Sequence, residues 1–473
     1  MSATNLELFD IQGNILAGFN TDFEVLVGLT ADDDRTQDIM AWLAALAPDV
    51  TSVGMVMEQR YSIKNPALNK TNIVWTAVSI GPHLISSMRP DFFAWDDAFN
   101  TGFRARAPTA LGDRTNPNTW KVGGPSSRVD VLLIFASNDQ SAVETKADEV
   151  VAAARAAGLT DTYRETAARI QDLEHFGFRD GISQPSVRYY DADGEIGPGY
   201  FVFGYERELG DGEYMPAVDP TGFLRNGSYQ VFRRLEQDVP AFRTFCADHA
   251  LALASQWPGL SGPHLQALLV GRWPSGARAA VDVTTDPGKP SNDNDFDFSD
   301  DTMGRSCPFG AHIRKVNPRA GPKDLAQTPR IIRRGIPFGP AYDASTAGQS
   351  RGLAFISYQT SIRTQLELLT SSWMNNPARP GPNAGHDLLV GRTPKTRSLN
   401  IWNPAGAEVE VSDGGQQWIN PTGGAYLFAP GKSALARLTE PIAPSALWRT
   451  DKLVQQVKQS VSLGLHFLSH IRE

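Results

Sequence analysis

Residues 129–170 read VDVLLIFASNDQSAVETKADEVVAAARAAGLTDTYRETAARI, and this stretch decides the fold. The apolar run VDVLLIFAS at 129–137 predicts a buried strand. SAVETKADEVVAAARAAG at 141–158 is rich in alanine and ends on a glycine, so it predicts a helix. TDTYRETAARI at 160–170 then predicts a closing strand. The stretch is therefore a strand, a helix and a second strand in direct succession.

The residues upstream complete this unit. FEVLVGL (23–29) predicts a strand, RTQDIMAWLAALA (35–47) an amphipathic helix, and NIVWTAVSI (72–80) another buried strand. The order of elements becomes β-α-β-β-α-β. This is the ferredoxin-like pattern, an antiparallel sheet with peripheral helices.

The pattern starts again after a stretch at 191–227 that is rich in Gly, Asp and Pro and predicts a long connection. Strands are predicted at 228–237 and 352–359, and helices at 239–256, 361–376 and 453–472. The two halves therefore form a structural pseudo-repeat without visible sequence identity. We predict an α+β protein of two ferredoxin-like domains, residues 1–225 and 226–473.

Composition excludes several classes of function. The net charge of −8 argues against a nucleic-acid surface, which needs clustered Lys and Arg. Two cysteines, Cys246 and Cys307, are too few for a disulfide framework or a four-cysteine zinc site. No apolar run is long enough to cross a membrane. The first basic residue is Arg35, so no export signal is visible. We expect a cytoplasmic protein, or a secreted one if a signal has been removed.

Three segments carry residues that suit chemistry. EHFGFRDGISQP (174–185) has glycines around Asp180, which is either a catalyst or a turn residue. CPFGAHIRKVNPR (307–319) holds His312 beside a basic cluster, which suits either a structural role or an iron ligand with cations for an anionic group. RIIRRGIPFGP (330–340) is either a strand with solvated arginines or a buried arginine aimed at developing negative charge.

Two other segments superficially resemble metal sites. His466 and His470 stand four residues apart, but no glutamate accompanies them, so surface or packing roles are favoured. The acidic run DNDFDFSDD at 293–301 lacks the glycine and the final glutamate of a calcium loop. We interpret it as a solvated acidic loop.

Taken together, the motifs resemble the dye-decolourising peroxidases, a family of haem b enzymes. GFRDG (177–181) matches the GxxDG signature of the family, CPFGAHIRKVNPR looks like its proximal-histidine segment, and RRGIPFG (333–339) looks like its distal-arginine segment. DIQGNILAGF (10–19) and GLAFISYQTSI (352–362) are similar to further family segments. The length suggests the longer fungal-like or extended bacterial subgroup. The resemblance implies two ferredoxin-like domains of the dimeric α+β barrel type, with haem b in the second half.

The resemblance also implies roles for individual residues. His312 would be the proximal ligand of the haem iron, and Asp387 in GHDLLVG is the candidate partner of its other ring nitrogen. Asp180 would be the distal acid–base and Arg333 the stabiliser of negative charge, with Arg334 as the alternative arginine. The remaining expected contacts of the haem or its pocket are Gly177, Gly181, Arg319, Leu353 and Phe355.

The function implied is oxidation of dyes and phenolic or other aromatic reductants by hydrogen peroxide, in one-electron steps through an oxoferryl porphyrin radical. Trp373 is a candidate electron relay or a packing residue, and Phe338 is a poor radical site where some members carry tyrosine. An unperturbed aspartate base predicts an acidic optimum. The alternatives are a non-catalytic haem-handling protein and a relative of the chlorite dismutases. A monomer and a homodimer are both compatible with the sequence.

Overall fold

The computed structural model describes residues 6–64, 73–90, 96–208, 222–319, 328–381 and 383–440. Four strands from the first half of the chain form one antiparallel sheet in the order β2-β3-β1-β4. They are β1 (Phe23–Ala31), β2 (Trp75–Ile80), β3 (Val131–Ser137) and β4 (Leu159–Ala168). The helix Thr36–Leu46 follows β1, and the helix Gln140–Ala156 connects β3 to β4. The predicted ferredoxin-like unit is confirmed.

The second half of the chain repeats this arrangement. Its strands are β5 (Ser228–Gln237), β6 (Ile332–Arg333), β7 (Ile336–Phe338), β8 (Gly352–Gln359), β9 (Ser398–Trp402), β10 (Glu408–Ser412) and β11 (Ile419–Ala429). β11, β5 and β8 pair in that order, and β6 and β7 lie end to end on the far edge of β8. If β6 and β7 count as one interrupted second strand, the two halves have the same strand order. Across each sheet this order is last strand, first strand, third strand, second strand. β9 and β10 form a separate hairpin.

The two sheets join at both edges into one closed barrel. β4 pairs with β7 through Ala167 and Phe338, and β2 pairs with β11 through Phe428 and Ile80. β5 and β8 pair along their whole length, which completes the ring. Closure removes the exposed sheet edges that two separate ferredoxin-like sheets would keep. The domain boundary near residue 225 stays a prediction.

Side chains alternate between the inside and the outside of the barrel. Leu26, Ile134, Ile356 and Leu427 pack in an inner cluster, which the N-terminal segment and the helix Val53–Lys64 also contact. Val25, Val27, Phe135 and Val231 belong to an outer cluster with the helices Thr36–Leu46 and Gln140–Ala156. This period of two places a functional group on a strand either inside the barrel or under its helices.

A third cluster lies outside the second half of the barrel. It joins the helices Val239–Ala252 and Gly262–Val270 to the β9–β10 hairpin and to Phe176 and Phe178. The segment after β8 turns as two wide π-type helices, Ile362–Glu367 and Leu369–Met374, where a helix at 361–376 is predicted. The other α- and π-helices of the described residues are Gly13–Leu16, Pro82–Met88, Asp97–Thr101, Phe103–Arg106, Ala107–Leu111 (π-type), His312–Val316 and Lys432–Ala436.

The remaining sequence predictions for regular structure also have outcomes. The strands at 23–29, 72–80, 129–137, 160–170, 228–237 and 352–359 and the helices at 35–47, 141–158 and 239–256 are confirmed to within a few residues. The predicted helix at 453–472, with His466 and His470, lies outside the described residues. Across the described ranges, no helix is both long and apolar enough to cross a membrane.

Candidate functional site

Asp180 stands at the end of a loop that is held by hydrogen bonds between its own backbone groups. The Asp180 N–H donates to the Asp172 carbonyl, and Leu173 pairs with Arg179 as an isolated bridge. Inside the loop, the Glu174 carboxyl accepts the N–H groups of Phe176 and Phe178 at 3.0 and 2.9 Å. Both phenylalanines are buried in the third cluster. The loop is thus anchored through its aromatic side chains, and Asp180 is left at its rim.

The two glycines of this loop adopt conformations that other residues rarely take. Gly177 has φ of +101° and Gly181 has φ of +80°. A Cβ built at either position would meet nothing within 4 Å. Their conformation therefore answers a backbone requirement, and the space beside each of them is open.

Arg333 reaches Asp180 from the other half of the chain. Arg333 ends β6, which pairs with Tyr358 and Ser357 of β8. Its Nη1 donates to Asp180 Oδ1 at 2.6 Å, and its Nη2 donates to the Ser183 carbonyl at 3.2 Å. The two side chains are 31% and 35% exposed, so the ion pair lines an open space instead of a packed core.

Gln184 holds the backbone of Arg333 in place. Its side-chain Nε2 donates to the Arg333 carbonyl at 3.0 Å, and its Oε1 accepts the Arg333 N–H at 3.2 Å. Sequence analysis missed this role, although Gln184 stands in the same motif as Asp180. Its position four residues after the aspartate was the available signal.

The carboxyl of Asp180 favours its ionised form. Burial raises the pKa of Asp180, but the charge and hydrogen bond of Arg333 lower it more, so the pKa lies below its ordinary value. The Gly181 N–H, which donates to Oδ1 at 2.6 Å, lowers it further, and so does His312 when its imidazole is protonated. His312 is 132 residues away in sequence, so the fold brings the two motifs within electrostatic reach of each other.

His312 is paired with the predicted carboxylate. Its Nδ1 lies 2.7 Å from Asp387 Oδ2, and the Asp387 side chain has no exposure. Asp387 Oδ1 accepts the N–H groups of Leu389 and Val390 at 2.9 and 3.0 Å. Burial raises the pKa of Asp387, but His312 and these donors lower it more, and it ends below its ordinary value. An ionised Asp387 accepts, so Nδ1 of His312 is the donor.

This hydrogen bond determines what the other ring nitrogen can do. A neutral imidazole that carries its proton on Nδ1 has a lone pair on Nε2, which is the form that ligates a metal. No described residue forms a hydrogen bond with Nε2 of His312, and the side chain is 29% exposed.

The helix that begins at His312 is held on both sides. Lys315 donates its three Nζ protons to the carbonyls of Asn376, Arg379 and Gly385, two residues before Asp387. Arg314 donates to Asp301 and to the Cys307 carbonyl. The sequence indicated these cations as partners of an anionic group. The structure instead shows Arg314 and Lys315 buried and bonded to the protein itself.

The other predicted site residues have mixed outcomes. Leu353 lines a cavity of about 230 Å³ together with Asp180, Gly181 and Arg333, whereas Phe355 packs between two apolar clusters. Arg319 donates to the carbonyls of Asn294 and Phe296 and to Ser183 Oγ, which leaves its expected contact with a propionate a prediction.

Of the two adjacent arginines, the structure favours Arg333 for the aspartate. Arg334 lines the same cavity, but its guanidinium donates to the carbonyls of Asn14, Ile15 and Leu16. Burial lowers the pKa of Arg334 to about 10. It therefore fastens the N-terminal segment to the barrel.

Trp373, the candidate electron relay, and Phe338 are both packed against other side chains. Trp373 is buried in an apolar cluster with Leu369, and Arg379 stacks over its ring at 4.1 Å. Phe338 is buried inside the barrel. In the ranges described above, no group of three or more His, Cys, Asp or Glu side chains could hold a metal ion. The acidic run at 293–301 buries Phe298 and bonds Arg314 through Asp301. A relay role for Trp373 stays a prediction.

The residues present fit the haem that the motifs imply. The donor set has a histidine whose second nitrogen is fixed by a carboxylate, as iron ligation requires. The aspartate–arginine pair within electrostatic reach of it offers acid–base chemistry. The open space beside Gly177 and Gly181 allows a flat group to approach the backbone.

This chain has similar proteins both in sequence and in fold. Residues 10–169 match the model of the DyP dimeric alpha+beta barrel domain. The dye-decolorizing peroxidase msp1 of Mycetinis scorodonius is 30% identical over 92% of this chain and 88% of its own length. The dye-decolorizing peroxidase of Mycena epipterygia is also 30% identical, over 92% of this chain and 87% of its own.

Solved structures give the same result. A mutant of the dye-decolorizing peroxidase from Pleurotus ostreatus superposes with a TM-score of 0.80 at 28% identity, over 92% of this chain and 99% of its own. An ancestral D-type dye decolorizing peroxidase gives a TM-score of 0.78 at 28% identity, over 92% and 100% of the two chains. This chain therefore belongs to the dye-decolourising peroxidase family, and it is a peroxidase.

Proposed function

We propose that this peroxidase holds haem b on His312 and uses hydrogen peroxide to oxidise dyes and phenolic or other aromatic compounds. The observation that carries the proposal is the Asp180–Arg333 ion pair at 2.6 Å, within electrostatic reach of a histidine whose Nδ1 is bonded to a buried carboxylate. A protein that only stores haem needs no acid–base pair beside it. The pair therefore supports catalysis over haem handling.

Asp180 would move the proton of hydrogen peroxide. Heterolysis of the O–O bond requires that one oxygen loses a proton and that the leaving oxygen gains one. A carboxylate whose pKa is below its ordinary value is ionised at neutral and mildly acidic pH, so it is ready to accept the first proton. The same carboxyl then delivers that proton to the leaving oxygen, which departs as water.

Arg333 and Leu353 would shape the surroundings of this step. The guanidinium of Arg333 stabilises negative charge on the peroxide oxygens while the bond breaks. It also keeps Asp180 ionised. Leu353 gives the same cavity an apolar wall, which excludes large reductants and strengthens the charge interactions beside it.

Asp387 would set the electron-donor strength and the ring orientation of His312. Its charge makes the imidazole a stronger electron donor, and its hydrogen bond fixes the ring orientation. The haem supplies the redox chemistry, because its iron and ring take oxidising equivalents from peroxide and pass them to the reductant in one-electron steps. Gly181 and Arg319 remain proposed contacts of the group.

A visible absorption spectrum of the protein with haem tests the proposal. We expect a Soret band that shifts when one equivalent of hydrogen peroxide is added and returns when an aromatic donor follows. His312→Ala should lose the native band. A bound haem whose spectrum does not respond to peroxide would contradict the proposal and favour haem handling.

A further inference from the structure

Glu24 is a buried acid inside the barrel that the proposed chemistry leaves unused. It lies on β1 two residues before Leu26, which packs in the inner cluster. Residues two apart on a strand point to the same side, so the Glu24 side chain also points into the barrel. Its neighbours in register on β3 and β4 are Ala136 and Ala167, whose small side chains leave room around it. Glu24 is only 5% exposed.

The carboxyl of Glu24 lacks the partners that a buried charge needs. Its Oε2 accepts no hydrogen bond within the described part of the chain, and no described basic side chain forms an ion pair with it. A buried carboxylate in this situation is costly, so the group keeps its proton. Burial accordingly raises the pKa of Glu24 to about 8.

Glu24 lines the same cavity as Asp180 and Arg333. The volume of about 230 Å³ is enough for several water molecules, and the walls are largely polar. The charged and titratable groups that share the cavity with Glu24 are Arg169, Asp172, Glu174, Asp180, Arg333 and Arg334. Tyr358 of β8 lies within electrostatic reach of Glu24. Two of the cations have other partners, since Arg333 binds Asp180 and Arg334 binds backbone carbonyls.

Glu174 lines the same cavity, but its hydrogen bonds differ from those of Glu24. Glu174 accepts three hydrogen bonds, from the N–H groups of Phe176 and Phe178 and from Gln237 Nε2 at 2.5 Å. Those donors fix its carboxyl as part of the Asp180 loop. Burial raises the pKa of both acids, but of the two only Glu24 has a carboxyl oxygen without a described partner, so it can release a proton without breaking a structural bond.

The overall reaction creates a need for such a group. Reduction of hydrogen peroxide follows H₂O₂ + 2 e⁻ + 2 H⁺ → 2 H₂O. Asp180 moves a proton that the peroxide itself brings, so cleavage of the O–O bond needs no proton from outside. The two further protons have to arrive while the reductant returns electrons. A bulky dye that is excluded from the cavity supplies only the electrons there.

We propose that Glu24 is a proton-relay residue, which passes its proton through water in this cavity to Asp180 and takes up a replacement from that water in each turnover. The inference rests on the proposed function. Glu24 acts through Asp180 and does not touch the peroxide. Its removal should slow the half of the cycle in which the reductant returns electrons and protons are consumed. It should spare the reaction with peroxide, in which a proton is only moved from one oxygen to the other.

The first test is Glu24→Gln, which keeps the shape of the side chain and removes its proton. In stopped-flow measurements, the absorbance change caused by one equivalent of peroxide should keep the wild-type rate. Steady-state oxidation of a bulky dye should fall roughly tenfold, with a larger solvent isotope effect. Glu24→Asp keeps an acid and should recover most of the rate.

The matched control is Asp130→Asn. Asp130 is also a buried acid of the same sheet with one oxygen that lacks a described partner, but it does not line the cavity. Its replacement should change neither half of the cycle. Turnover of E24Q within twofold of wild type, or an equal loss in the peroxide half, overturns the relay.

A second measurement does not depend on activity. The infrared spectrum of wild-type protein at pH 7 should contain the carbonyl band of a protonated carboxylic acid that is missing from E24Q. The absence of that difference overturns the inference even if the protein is an active peroxidase. If instead the wild type fails to react with peroxide while the infrared band is present, the proposed function is what fails.

Discussion

The two sides of the site are built in opposite ways. On the histidine side, Asp387 has no exposure and accepts hydrogen bonds from His312, Leu389 and Val390. On the aspartate side, Asp180 and Arg333 are each about one-third exposed and border a cavity. The histidine and its carboxylate come from the second half of the chain, whereas the Asp180–Arg333 pair joins the two halves.

The difference fits the role that we propose for each side. A ligand must stay in one orientation, and a buried carboxylate with every oxygen bonded provides that. A proton carrier has to meet small molecules, so it cannot be sealed in the same way. We therefore expect substitutions on the aspartate side to change reaction rates, and substitutions on the histidine side to change haem affinity and reduction potential.

The largest expected effect is that of Asp180→Asn. The amide cannot accept the peroxide proton, so kcat/KM for peroxide should fall roughly 10²–10⁴-fold while the Soret band is kept. Stopped-flow absorbance after mixing with peroxide measures this directly. Asp161→Asn is the control, because Asp161 also pairs with an arginine, Arg155 at 2.7 Å, but does not line the cavity. Unchanged kinetics in D180N would assign the proton transfer to another group.

Next in size is Arg333→Leu, with an expected loss of roughly 10²–10³-fold in kcat. Its diagnostic readout is the pH profile. In the proposed reaction Asp180 works ionised, so we expect activity to be lost as pH falls through its pKa, and Arg333 holds that pKa below the ordinary value. Without Arg333, the burial that raises the pKa is no longer outweighed, and the acidic limb should move to higher pH.

Arg179→Ala provides the comparison for that profile. Arg179 neighbours Asp180 in sequence, but its guanidinium lies 3.5 Å from Asp172. Its removal should leave the acidic limb where it is in the wild type. Equal shifts in both variants would mean that the limb reports the general charge of the loop instead of the Asp180–Arg333 pair.

The sequence predicts much of this arrangement, and its omissions have physical reasons. Each predicted strand and helix in the described residues rests on local periodicity, and these were confirmed, except that the helix predicted at 361–376 forms two π-type helices. Closure of the barrel rests on a single residue pair at each of two edges, such as Ala167 with Phe338, and so small a contact leaves no pattern in the chain.

The choice between Arg333 and Arg334 shows a second limit. Neighbouring residues of a strand point to opposite faces, so one arginine had to face away from Asp180, but the sequence does not say which. The resemblance favoured Arg333, and the 2.6 Å ion pair agrees. Glu24 was visible as the one charged residue in FEVLVGL, yet only the closed barrel shows that it shares a cavity with Asp180.

On the histidine side, Asp387→Asn should act on binding more than on rate. Asparagine still accepts from Nδ1 of His312 but carries no charge, so the imidazole becomes a weaker ligand. Haem affinity should fall roughly 10–100-fold and the reduction potential should rise. Asp96→Asn is the control, because Asp96 is an equally buried acid. Its carboxyl accepts from the Ser361 hydroxyl and the Ile362 N–H and not from His312. A potential that D387N leaves unchanged would contradict the proposed influence of Asp387 on the iron.

The smallest expected effect is that of Gly181→Ala, and it tests whether haem lies beside the Asp180 loop. Gly181 and Gly406 have almost the same φ, +80° and +81°, and neither has an atom within 4 Å of a built Cβ. Alanine at either position should cost about 1 kcal/mol of stability through backbone strain. If haem occupies the space at Gly181, only G181A should also weaken haem binding, by roughly fivefold, since a methyl group that crowds a bound group costs about 1 kcal/mol. Equal haem affinity in the two variants would place the haem away from this loop, and the open space at Gly181 would then belong to the cavity alone.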